Sequence, residues 1–86
     1  MNQSILFPDM QTWDSLAQAV CFTAQYQGMV IHCQISMAEL QSLTGEVIEE
    51  QQAAMQAFEA NRFDIEDKVE QLIAEEAYDE LGRIKL

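Results

Sequence analysis

The chain has 86 residues, 49% of them hydrophobic, and a formal net charge of −11 from 15 acidic and 4 basic residues. A chain of this length makes one domain, 1–86, with room for a single core layer, and its apolar fraction is that of a folded protein rather than a disordered one. Four scattered Lys and Arg cannot neutralise a row of phosphates or hold an anionic membrane, which excludes nucleic-acid and membrane partners.

No run of residues approaches the roughly 18 apolar positions of a membrane span. The start, Met1-Asn2-Gln3-Ser4, has neither the basic nor the apolar region of a signal peptide, so the expected location is the cytoplasm. The charge is unevenly placed. Residues 46–80 hold 12 of the 15 acids, residues 1–45 hold three and no Lys or Arg, and residues 81–86 contain only Arg83 and Lys85 as charges.

In chain order, Ser4–Phe7 alternates with Ile5 and Phe7 inward and stops at Pro8-Asp9, which predicts a short edge strand. Thr12-Trp13-Asp14-Ser15 reads as a turn with Trp13 as an aromatic lid on the core. The clearest local element is a hairpin over Ala19–Ile35 around Gln27-Gly28, Gly28 supplying a positive φ. That turn sets Val20 against Ile35, Phe22 against Cys33, Ala24 against Ile31 and Tyr26 against Met29, all on one face. A slip of one residue would set Phe22 against His32, so the pattern selects the first register. Cys21, Thr23, Gln25, Val30, His32 and Gln34 fall on the second, mixed face.

Ser36-Met37-Ala38-Glu39 is a capping box, with Ile35 and Leu40 as its hydrophobic staple, and it opens a short helix of about 37–43 that Gly45 ends. Beyond an irregular stretch at 46–50, an apolar stripe runs through Val47, Ile48, Ala54, Met55, Phe58, Ile65, Val69, Leu72 and Ile73, with Arg62 in its middle. Positions 55, 58, 62, 65, 69 and 72 step at helical spacing. One helix over 46–80 would be about 52 Å long, more than so small a domain can cover. The expectation is a long helix of about 50–79, bent near Asn61 or divided there. Gly82 ends it, and Arg83–Leu86 forms a short last strand, 83–86. The fold class is α+β in two layers: an antiparallel sheet of three or four strands, centred on the hairpin, with both helices on its apolar face.

Three residues are candidates for chemistry or contact. His32 and Cys21 are diagonal neighbours on the second sheet face, yet a Cys–His nucleophile also needs an orienting group and an oxyanion site. Arg62 stands where Leu is expected, flanked by Glu59 and Glu66 at helical reach. Its stem packs while its guanidinium reaches a carboxylate, or else it anchors a ligand. One His and two Cys on opposite faces make neither a zinc site nor a disulfide, and acids at helical spacing make no calcium loop. No catalytic residue, metal or cofactor is read from this chain.

Ile5-Leu6-Phe7-Pro8-Asp9, Trp13-Asp14, Val20-Cys21-Phe22, Gly28 and Cys33-Gln34-Ile35-Ser36 with Glu39 and Leu40 resemble a family of small bacterial proteins, domain of unknown function 1488. Ala57-Phe58-Glu59, Arg62 and Ile65-Glu66 are similar to the second half of its pattern. The resemblance implies a compact α+β domain in a bacterial cytoplasm, with Arg62 as part of the family pattern. The functional expectation is a non-enzymatic protein-binding or regulatory module, its partner another protein or a second copy. The alternative is a small ligand-binding protein or enzyme that uses the His32/Cys21 face or Arg62.

Overall fold

A computed structural model describes residues 5–86. The chain runs β1 (Gln11–Asp14), β2 (Ala19–Tyr26), β3 (Met29–Ser36), α1 (Met37–Thr44), α2 (Gln51–Ala60), α3 (Arg62–Ala74) and β4 (Ile84–Lys85). The sheet order is β1-β2-β3-β4. The helices cover one face, and the apolar side chains of β2 and β3 meet those of the helices in one cluster.

The hairpin has the expected register, Val20 with Ile35, Phe22 with Cys33, Ala24 with Ile31 and Tyr26 with Met29. Gln27 and Gly28 both take positive φ, 54° and 79°, the geometry whose twist matches that of the two strands. Ser36 caps α1, its Oγ accepting from the Glu39 N–H at 3.0 Å. Gly45 ends α1 at φ 74°, its N–H donating to Gln41 O at 2.8 Å. Thr44 and Gln41 then carry the chain onward: the Ile48 N–H donates to Gln41 Oε1 at 2.8 Å, which buries Ile48.

Several features differ from the expectation or decide what it left open. The first full strand is Gln11–Asp14, where a turn was read. Trp13 lies opposite Val20 in it and packs on the core, and the turn follows instead, with Asp14 Oδ1 accepting the N–H groups of Leu16 and Ala17 at 3.0 and 3.1 Å. The strand expected at Ser4–Phe7 is reduced to one antiparallel bridge between Leu6 and Gln25, and Ser4 lies outside the described residues. Pro8 has no N–H to extend the ladder.

The long helix is two. Asn61, at φ −116°, separates α2 from α3, and its side-chain amide donates back to Ala57 O at 2.9 Å rather than capping α3. The stripe keeps its phase across this single residue, so Ala54, Ala57 and Phe58 of α2 and Ile65, Val69 and Ile73 of α3 are all buried. Val47, placed in the stripe from spacing, is exposed because 46–49 is not helical. α3 ends at Ala74, short of 79, and Glu76 follows with φ 56°.

Finally, β4 pairs with β3 in parallel, Cys33 with Ile84 and Gln34 with Lys85, so the sheet is mixed. Three helices intervene between β3 and β4, and such a crossover is what parallel neighbours require. Among the described residues no helix is long and apolar enough to cross a membrane.

The Ser36 cap tests the local account. Ser36→Ala leaves the Glu39 N–H without its partner and lowers the unfolding free energy by about 1 kcal/mol in a urea titration, with an unchanged slope.

Candidate functional site

The helices pack on one side of the sheet only. Alternation along β2 and β3 turns Cys21, Thr23, Gln25, Val30, His32 and Gln34 to the other side, joined by Thr12 from β1 and Lys85 from β4. Across this open face run two adjoining clefts that share Cys21 and His32. One, of about 400 Å³, extends toward Pro8, Met10, Gln11, Thr12 and Thr23. The other, of about 260 Å³, extends toward Asp14, Gln34 and Arg83. A further depression of about 480 Å³ lies between Gln11 and the Met55–Glu59 side of α2, and none of the three candidate residues lines it.

Cys21 stands opposite Gln34 and His32 opposite Thr23, so the two are diagonal neighbours, about 7–8 Å apart. No hydrogen bond joins them among the described residues. Burial pushes the Cys21 thiol above its ordinary pKa, the Asp14 carboxylate adds to the rise, and the Arg83 guanidinium opposes it. At neutral pH Cys21 is therefore a thiol and not an activated thiolate. Cys33 points into the core, where burial pushes its pKa up to about 12 while its Sγ–H donates to Ile31 O at 3.6 Å. Both cysteines are free, on opposite faces. Among the described residues no three His, Cys, Asp or Glu side chains converge as metal ligands.

Arg62 is not in either cleft. It is the first residue of α3, its side chain only 15% exposed, and its three guanidinium nitrogens all bond within the molecule. Nε donates to Glu66 Oε2 at 2.9 Å, Nη1 to Gln11 Oε1 at 2.9 Å and Nη2 to Pro8 O at 2.7 Å. Asp9 and Glu59 stand within ion-pair range at 3.6 and 3.9 Å, and the Gln11 side-chain amide donates to Glu59 in turn. Arg62 thus holds the Pro8–Gln11 segment, which forms one wall of the larger cleft, from behind. Of the three candidates, the fold brings Cys21 and His32 together and leaves Arg62 as support for their surroundings.

Asp14, Met10 and Arg83 also border the clefts, and spacing alone did not mark them. Arg83 is placed by a local device legible after the fact. Asp79, four residues earlier, accepts from the Arg83 N–H through Oδ1 at 2.8 Å and from its Nε through Oδ2 at 2.9 Å.

Residues 5–86 match the profile of the family described as protein of unknown function DUF1488. The chain belongs to this family. It is 39% identical to the uncharacterized protein YrdB of Escherichia coli (strain K12) and 38% identical to that of Shigella flexneri, over 100% of this chain and 99% of each relative. A crystal structure of a DUF1488-family protein of unknown function from Shewanella loihica PV-4 is 48% identical. It superposes with a TM-score of 0.92 over 100% of this chain and 94% of that one. The likeness spans the whole chain, so the open face belongs to a shared fold.

Thiol chemistry gives a direct check. With a maleimide at neutral pH Cys21 reacts more slowly than a free cysteine. Its rate climbs as pH is raised through and beyond the ordinary thiol range, because the thiolate fraction rises later. Cys33 labels only when the protein unfolds. Fast labelling of Cys21 at pH 7, tracked by mass spectrometry, would contradict this electrostatic picture.

Proposed function

We propose that this protein is a non-enzymatic protein-binding module that receives its partner on the open face of the sheet, and that it works in a reducing cytoplasm where both thiols persist. The observation that supports this reading is the one-sided layering. A face of a four-stranded sheet is left uncovered and bears mostly uncharged side chains, while the acids are spread over the helices and the segments that join and follow them. A surface that mixes small polar and apolar groups over several strands is suited to a protein partner.

The charges point the same way. Each of the four basic side chains already has a carboxylate within ion-pair range. Arg62 has Glu66 at 2.9 Å, Lys68 has Glu39 at 3.7 Å, and Arg83 and Lys85 share Asp79 at 2.9 and 3.8 Å. Nothing in that arrangement favours phosphate, which supports a protein rather than a nucleic acid as partner. A small ligand is the second reading, favoured by the convergence of Asp14, Cys21, His32, Gln34 and Arg83. Its cleft of about 260 Å³ is slightly below the range usual for ligand sites.

A photoreactive amino acid placed at Thr23 on the open face, and separately at Gln71 on the helical back, distinguishes the faces in living cells. Discrete cross-linked species from position 23 and none from position 71 are expected. Equal yields from both positions, or none from position 23, would overturn the reading.

A further inference from the structure

One part of the sheet has backbone groups to offer as well as side chains. The Gln25 N–H donates to Leu6 O at 2.8 Å and the Leu6 N–H to Gln25 O at 3.0 Å, so both Gln25 groups point away from β3. Val30, its partner in the register, therefore sits at a wide pair of the antiparallel ladder, with its own N–H and C=O turned outward from the sheet.

β4 covers that outer edge from the His32 carbonyl onward, since the parallel pairing of Cys33 with Ile84 gives that carbonyl to the Ile84 N–H. The Leu86 N–H donates to Gln34 O at 2.8 Å and Leu86 O accepts from Ser36 N–H at 3.3 Å. Beside Met29–Ile31 no described residue completes the ladder. Met29 is 62% exposed and Val30 57%, and the stretch has no Lys, no Pro and no bulge, the devices that ordinarily blunt an edge.

We infer that the outer edge of β3 at Met29–Ile31, together with the His32 N–H, accepts an extended, cationic segment of another protein by strand addition. This deepens the protein-binding reading above and rests on it. The mode is the pairing of a peptide backbone with an exposed edge, with alternate side chains reaching the two faces.

The sign of the partner follows from what flanks the edge. The chain enters β4 from the turn closed by the Gly82 N–H bond to Asp79 O at 3.0 Å, so this turn stands at the His32 end of the open segment. It belongs to the stretch Glu75-Glu76-Ala77-Tyr78-Asp79-Glu80. Asp79 is neutralised by Arg83 and Lys85, whereas Glu76 and Glu80 make no ion pair among the described residues. A second copy of the chain would bring another −11 charge to a contact of few backbone groups. Lys or Arg alternating with apolar residues instead meets the glutamates while its backbone meets Val30.

The probe is a nine-residue synthetic peptide alternating Val and Lys, titrated into the isotope-labelled full chain and followed by amide NMR shifts and hydrogen exchange. The expected result is saturable shifts and slowed exchange centred on Val30 and His32. Added salt weakens them, and a peptide with Glu in place of Lys does not produce them. Val30→Pro removes the outward N–H without touching the β2 ladder, and Val30→Lys adds a like charge at an exposed position. Each weakens binding at least about tenfold while thermal unfolding stays cooperative. Shifts confined to the backs of α2 and α3, or undiminished binding by the two variants, overturn the inference. Shifts centred on Cys21 and Thr23 overturn strand addition but leave the open-face reading standing. No shifts anywhere also overturn strand addition, and the cross-linking at position 23 then decides the open-face reading separately.

Discussion

The architecture depends on a stack of three side chains that joins its parts. Phe22 of β2 meets Phe58 of α2 with ring centroids 5.0 Å apart and planes tilted by 51°, and the Arg62 guanidinium carbon lies 5.3 Å above the centroid of the Phe58 ring. Tilted aromatic pairs and cations over ring faces each add about 0.5–1.5 kcal/mol to what burial alone supplies. The placement matters more than the sum. Phe58 is fully buried between sheet and helices, and Arg62 closes the cluster at the edge where Pro8–Gln11 passes. One cation therefore ties the segment before β1, the end of α2 and the start of α3 to the ring that anchors the sheet. An apolar residue at 62 would continue the stripe and leave Pro8 O, Gln11 and Glu66, all partly buried, without this donor.

This layering also leaves the second face of the sheet open. Burying one sheet face beneath α1, α2 and α3 gathers the chain's apolar side chains into one cluster, although Leu16, Val47, Phe63 and Leu81 stay exposed. The outer surface of the helices faces water and carries the exposed Glu59, Asp64, Asp67 and Glu70. The second sheet face stays free, its surroundings set by local devices: the Asp14 turn at one end, the Asp79–Arg83 pair at the other, and the Arg62-held segment along one side. The polar ends of the face are thereby fixed, while the edge at Val30 is left unpaired by a β4 of two residues.

Much of this was legible from residues alone. The hairpin register could be read because one face had to be apolar and a single slip would have exposed it. α1 could be read because the Ser36 cap and the Gly45 dihedral stand at fixed positions. The other half of the capping box is not formed: the Ser36 N–H donates to Leu86 O and the Glu39 carboxylate lies near Lys68. Asn61 was visible as a break, since the chain is too short to support a continuous helix of that length. β1 was missed because Gln11-Thr12-Trp13-Asp14 shows only one large apolar side chain, and its pairing with β2 comes from tertiary contact, not alternation. The parallel direction of β4 depends on where α3 delivers the chain, which spacing does not encode. Cys21 and His32 were paired correctly through the register. The internal role of Arg62 was half visible in its glutamates, but its bonds to Pro8 and Gln11 span more than fifty residues of sequence and needed the fold.

The claim that Arg62 ties the N-terminal segment to the helical layer is tested most directly by native-state hydrogen exchange on Arg62→Met. Exchange at the Leu6, Thr12 and Gln25 amides is expected to rise about tenfold or more beyond the rise at Ile31 and Cys33 in the hairpin ladder. An increase spread evenly over all five amides, or none at Leu6 and Gln25, would contradict it.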